Sequence, residues 1–170
     1  QKSEQIQSTN YENIRYEGFG PHRVACIVET LTDNKNRTAS NIRTLFQKNG
    51  GSLGTQGSVS HSFSQIGVIK IDTNEISENS IYEFVLDIGV DEFLVKNGYY
   101  EIHCKKNDIY KIKKKLEFKV KNFISTEIEW ITSNLISLES EFEKNVLDFL
   151  NILEDDDDVQ KVYANISIKG

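Results

Sequence analysis

From Tyr11 to Glu17 the chain alternates, with Ile14 and Tyr16 on one side and Arg15 and Glu17 on the other, the period of two that marks a half-buried strand. The turn Gly18-Phe19-Gly20-Pro21 follows. Val24 to Leu31 (VACIVETL) is then an almost unbroken apolar run, which predicts a central strand covered on both faces. Beyond it, Asp33, Asn34 and Asn36 are turn and N-cap residues, and the spacing predicts a helix from about Asn36. Its apolar face carries Ala39, Ile42 and Phe46; Arg37, Asn41, Thr44 and Lys48 lie opposite, and Arg43 flanks the stripe. Asn49-Gly50 ends it. Ser58 to Gln65 alternates again, with Val59, His61 and Phe63 against four serines, predicting a strand with His61 as a structural core residue.

The next segment reads as a unit of its own. Val68 to Ile71 is a strand, Ile81, Phe84, Val85 and Ile88 mark a helix stopped by Gly89, and Phe93 to Val95 and Tyr99 to Cys104 are strands joined by an Asn97-Gly98 hairpin turn. Ile109, Ile112 and Leu116 mark a lysine-rich helix, and Ile128 with Trp130 a closing strand. This βαββαβ order is ferredoxin-like. A helix lined by Phe142, Val146, Phe149, Leu150 and Leu153, opened by a Ser140 and Glu143 capping box, and a strand with Val162, Ala164 and Ile166 have no partners nearby.

The economical solution returns that helix and strand to the first sheet. The expected fold is α+β, with two small α/β-sandwich-type domains: residues 11–65 plus 137–170 form a discontinuous domain, and residues 66–136 a ferredoxin-like domain inserted into it. Residues 1–10 are polar and aperiodic and are expected to be a linker.

Charge narrows the function classes. The 170 residues hold 20 Lys and Arg against 26 Asp and Glu, so the net charge of −6 argues against a uniformly basic nucleic-acid coat and confines any anion site to a patch. Lysines cluster from Lys105 to Lys121 and acids from Glu139 to Asp158. Cys26 and Cys104 lie in apolar or alternating runs without ligand spacing and read as buried reduced thiols. No apolar run approaches the roughly 18 residues that span a bilayer, so no membrane partner is expected.

The candidate chemistry centres on Leu31 to Gly57. Lys35, Arg37, Arg43 and Lys48 supply positive charge, Asn34, Asn36 and Thr38 supply neutral donors, and the loop with Gly50, Gly51, Gly54 and Gly57 allows close backbone approach, the combination a phosphate contact uses. The loop follows its helix and lacks the GK[ST] ending, which argues against nucleotide hydrolysis. Lys105, Lys106, Lys111, Lys113, Lys114 and Lys115 form a secondary basic patch. Asp155 to Asp158 lacks the glycine and distant Glu of a calcium loop and reads as a solvated acidic turn. No catalytic constellation, metal site or cofactor is expected.

Three stretches, RYEGFGPHRVACIVETLTDNKNRT, KNGGSLGTQGSV and LEDDDDVQKVYAN, resemble the YebC/PmpR family, which includes the mitochondrial translational activator of cytochrome c oxidase; the resemblance spans Tyr11 to Ile168. It departs at His22-Arg23, where relatives often carry small residues, and at Thr132, which stands for the proline of a WIP-like turn. The resemblance implies a lysine-rich helical N-terminal domain preceding two α+β domains, and that missing domain would be a partner. It implies a transcriptional regulator that binds DNA or, as the alternative, a translation factor that contacts ribosomal or transfer RNA on the ribosome. The expected location is the bacterial cytoplasm, with the mitochondrial matrix as the alternative.

Overall fold

The computed structural model describes residues 10–167, so the linker expected at residues 1–10 lies outside it save for Asn10. The chain divides into two units, one running to Ser64 and resuming at Thr132, the other spanning Gln65–Ile131. Each holds a four-stranded sheet.

In the first unit, β1 (Glu12–Phe19) and β2 (Ala25–Thr32) pair antiparallel, with β3 (Ser52–Leu53) at the far side of β1 and β8 (Val159–Ala164) beside β2. Ala25 to Val28 are buried without alternation, as the apolar run requires. Helix α1 (Lys35–Lys48) and helix α4 (Ser140–Glu154) supply Ile42, Phe46, Val146, Phe149 and Leu153 to the core against Val24, Cys26 and Val28. Phe46 and Phe149 meet edge to face, with ring centroids 5.0 Å apart.

The second unit runs β4 (Ser64–Asp72), α2 (Glu78–Val85), β5 (Glu92–Val95), β6 (Tyr99–Lys105), α3 (Ile109–Leu116) and β7 (Ser125–Ile131), with sheet order β5-β6-β4-β7. That is the ferredoxin-like arrangement. Ile69, Ile71, Ile102 and Cys104 of its central strands pack on Ile81, Ile112 and Leu116 of its helices. Both cysteines are buried and free.

Four local expectations need correction. Ser58 to Gln65 is not a strand: Ser60–Ser62 forms a 3-10 turn and β4 begins only at Ser64. The alternation misled because Val59 and Phe63 are buried on either side of a turn, while His61 is exposed with Nδ1 3.0 Å from the Gly57 carbonyl. Helix α1 buries Thr38 where the apolar stripe pointed to Ala39, because Thr38 has buried polar partners. The Ser140 and Glu143 capping box does not form; Glu139 occupies the cap position with no side-chain cap bond, and Ser140 is already helical. Finally, β8 ends at Ala164, and Ile166 instead bridges Ile136 in parallel.

Between β1 and β2 the chain takes a sharp turn at Pro21–Arg23. His22 (φ 58°) and Arg23 (φ 63°) both adopt the left-handed conformation, which costs a residue with a Cβ roughly 1 kcal/mol or more.

Candidate nucleic-acid interface

The expected binding motif from Thr32 to Thr38 sits where β2 ends and α1 begins. Asn34 is the N-cap: its Oδ1 accepts from the Arg37 N–H at 3.1 Å, meeting one unpaired donor of the first turn. Arg37 turns back along the protein. Its guanidinium donates to Asp158 Oδ1 at 2.9 Å and to Asp33 Oδ1 at 3.0 Å. Thr38 Oγ1 lies 2.7 Å from both Thr32 Oγ1 and Asp158 Oδ2; since a carboxylate only accepts, the Thr38 hydroxyl proton goes to Asp158.

Asp158 is thus the hub of a clamp joining β2, α1 and the start of β8, and its backbone carbonyl also accepts from Leu31. It is 8% exposed, which corrects its assignment to a solvated acidic turn. Burial by itself would raise its pKa, but the bonds from Thr38 and Arg37 prevail and hold the carboxyl below its ordinary range. Asp156 and Asp157 line the hollow beside Arg37, a poor setting for a phosphate.

The glycine loop holds an anion already, and that anion belongs to the protein. Glu17, placed by the alternation on the polar side of β1, is 1% exposed. Its Oε1 accepts from the Val59 and Ser60 N–H groups at 3.0 and 2.7 Å, and its Oε2 from Gly57 N–H and Arg15 Nε, both at 3.0 Å. Burial pushes the Glu17 pKa up, yet these donors overcome it and bring it from 4.5 down to about 2. Gly57 reaches this geometry at φ 91°. Gly51 is required for a different reason, because a Cβ there would lie 2.2 Å from the Phe19 carbonyl oxygen. Gly50 ends α1 at φ 80°, and Gly54 donates to the Glu17 carbonyl.

What remains outward on this unit is Lys35, Asn36, Arg43 and Lys48, all exposed. The sequence of α1 contains no acid, and its solvent side presents Ser40, Thr44 and Gln47 between Arg43 on one flank and Lys48 on the other, with Asn41 at the hollow that Asp156, Asp157 and Asp158 line. The secondary patch, on the second unit, is partly engaged: Lys105 pairs with Asp91, Lys106 donates to Gln65, and Lys113 lies over the Phe123 ring. Lys111 and Lys114 are exposed, and Lys115 is half-buried. Among the described residues no group of three or more His, Cys, Asp or Glu is placed to hold a metal ion, and no helix is long and apolar enough to cross a membrane.

A family model described as the TACO1/YebC second and third domain matches residues 11–166. The chain belongs to the TACO1/YebC family. A probable transcriptional regulatory protein of Pelagibacter ubique is 55% identical over 169 residues, covering 99% of this chain and 70% of the relative. A protein of the same description from Zymomonas mobilis is 42% identical, covering 94% and 64%. The crystal structure of a conserved hypothetical protein from Aquifex aeolicus superposes with a TM-score of 0.86 at 34% identity, over 95% of this chain and 67% of that one. The chain therefore spans about two thirds of the length of the TACO1/YebC relatives it matches. The stretches TDNKNRT and GGSLGTQGSV supply partners to the two internal locks, whose acids Asp158 and Glu17 lie outside them. Sequence reasoning missed both roles: Asp158 ends an acidic run and its side-chain partners lie 120 and 121 residues away, and Glu17 is held mainly by backbone amides that leave no mark on residue type.

Proposed function

We propose that this chain is the nucleic-acid-facing portion of a non-enzymatic transcriptional regulator working in the cytoplasm, and that it holds DNA through the solvent side of α1. The observation that supports this reading is that α1 carries four basic residues and no acid of its own in a chain of net charge −6. The description of the relatives as probable transcriptional regulatory proteins agrees with it. Arg43 and Lys48 contact phosphates, and the amides and hydroxyls between them donate to backbone oxygens, while Lys35 adds positive charge at the start of the helix. Arg37, Thr38, Asn34 and the Gly57 amide serve the surface indirectly, by fixing α1 and the loop after it.

Phosphate contact is sequence-blind, so binding rests on counterion release. Fluorescence anisotropy of a labelled DNA duplex across a salt series tests the proposal. Arg43→Glu with Lys48→Glu is expected to lower the slope of log affinity against log salt by about 2, roughly 0.9 per lost contact. An unchanged slope would sink the reading. A parallel titration with structured RNA decides the alternative of a translation factor, which requires RNA to bind more tightly than duplex DNA at equal salt.

A further inference from the structure

Two hollows in the first unit meet at Gly50 and take no part in either internal lock. The larger, about 680 Å³, falls in the size range of small-molecule sites and is lined by Pro21, His22, Asn49, Asn145, Asp148 and Ile152. His22 is exposed and stacks on Phe142 with ring centroids 4.2 Å apart and planes 24° from parallel. Phe142 is not part of the lining, so it backs a ring that is presented to the hollow. Asn145 Nδ2 lies 3.2 Å from His22 Nε2 and fixes the ring's orientation. Asp148 Oδ2 is engaged by Lys144 at 2.9 Å, which leaves Oδ1 to accept from a ligand. The smaller hollow, about 270 Å³, has Arg23 as its one charged lining residue, with Phe19, Gly20, Gly51 and Ser52. The two consecutive left-handed residues send neighbouring side chains into different hollows, an aromatic ring into one and a cation into the next.

From this arrangement we infer that the hollows form a nucleotide site, taking an unpaired base against His22 and its phosphate at Arg23. The stack supplies a platform for any base, as in single-strand binding. The Asp148 carboxylate and the Asn49 and Asn145 amides select by hydrogen bonding at the base edge. A carboxylate accepts only, so the favoured base presents N–H donors at its edge, and guanine, with N1–H beside its amino group, offers two together to Oδ1. The site deepens the proposed DNA reading, on which it rests for its biological ligand, and supplies the base discrimination that phosphate contacts on α1 lack.

The test compares single-stranded heptamers, oligodeoxythymidine with and without a central guanine, by anisotropy on the 170-residue chain. The expected preference for the guanine heptamer is about tenfold, the scale of one base edge read by hydrogen bonds. His22→Gly removes the ring yet suits the left-handed backbone, so the fold survives, and it is expected to weaken binding of both heptamers and abolish the preference between them; Asp148→Asn changes an exposed side chain and is expected to abolish the preference. Guanosine monophosphate added to labelled protein should shift the Asn49 and Asn145 side-chain amide signals. Equal affinity for both heptamers, or a preference that persists in His22→Gly, overturns the site even if the α1 salt slope stands. Shifts with the mononucleotide together with no duplex binding support the site and remove the DNA reading.

Discussion

Glu17 carries more of the first unit than a lone glutamate in a strand suggests. Its carboxyl is buried and held near pKa 2 by three loop amides and Arg15, against 4.5 ordinarily. The sign follows from linkage: a carboxyl whose pKa is lower in the folded state stabilises fully above its ordinary pKa and loses that contribution as pH falls through the folded one. The difference corresponds to about 3 kcal/mol at neutral pH, lost between about pH 4.5 and pH 2. Glu17→Gln is expected to be destabilised by an amount of that order at pH 7. Urea denaturation of both proteins at stepped pH should show the gap closing below pH 4.5; a gap that stays constant to pH 2.5 would contradict the assignment.

At the scale of elements, the clamp at Asp158 fixes the entry of α1 against β2 and β8. Because Thr38 and Asp158 are in direct contact at 2.7 Å, their contributions cannot be independent. A double-mutant cycle of Thr38→Val and Asp158→Asn, read by urea denaturation, is expected to give a coupling energy of about 1–3 kcal/mol. Additive effects would show that the two side chains act separately. The order of elements in the second unit was legible because period-two and helical runs were bounded there by Gly89 and Asn97-Gly98. The loop from Gly54 to Phe63 was not legible. Its alternation of Val59, His61 and Phe63 mimics a strand, and only the buried Glu17 carboxylate, 42 residues from Val59, explains why the chain turns instead. Likewise Arg37, chosen for its charge, faces two acids, one of them 121 residues away. Residue type located the important stretch but could not separate groups offered to solvent from groups already satisfied.

For the whole molecule, the discontinuity of the first unit has a physical anchor. Thr132 Oγ1 donates to the Ser62 carbonyl at 2.8 Å, so the chain leaves the first unit and returns to it at nearly the same place. Each unit has its own buried cluster. Replacing residues 65–131 with a short Gly-Ser linker is therefore expected to leave the first unit folded, with cooperative urea unfolding and dispersed amide signals. Loss of cooperativity in that variant would mean that the first unit requires the inserted one. The same Ser62 to Thr132 closure keeps the α1 surface and the His22 hollow within a single folding unit.

The cradle around Glu17 gives the glycine loop an unusual kind of stiffness. In a sheet edge, hydrogen bonds fray one at a time from the end. Here the amides of Gly57, Val59 and Ser60 converge on two oxygens of one side chain, so losing one amide alone leaves a buried charge short of a partner and the three are released together. The glycine-rich loop after β3 is therefore expected to open in one cooperative event, as core does, with the Gly57, Val59 and Ser60 amides exchanging with solvent at a common rate.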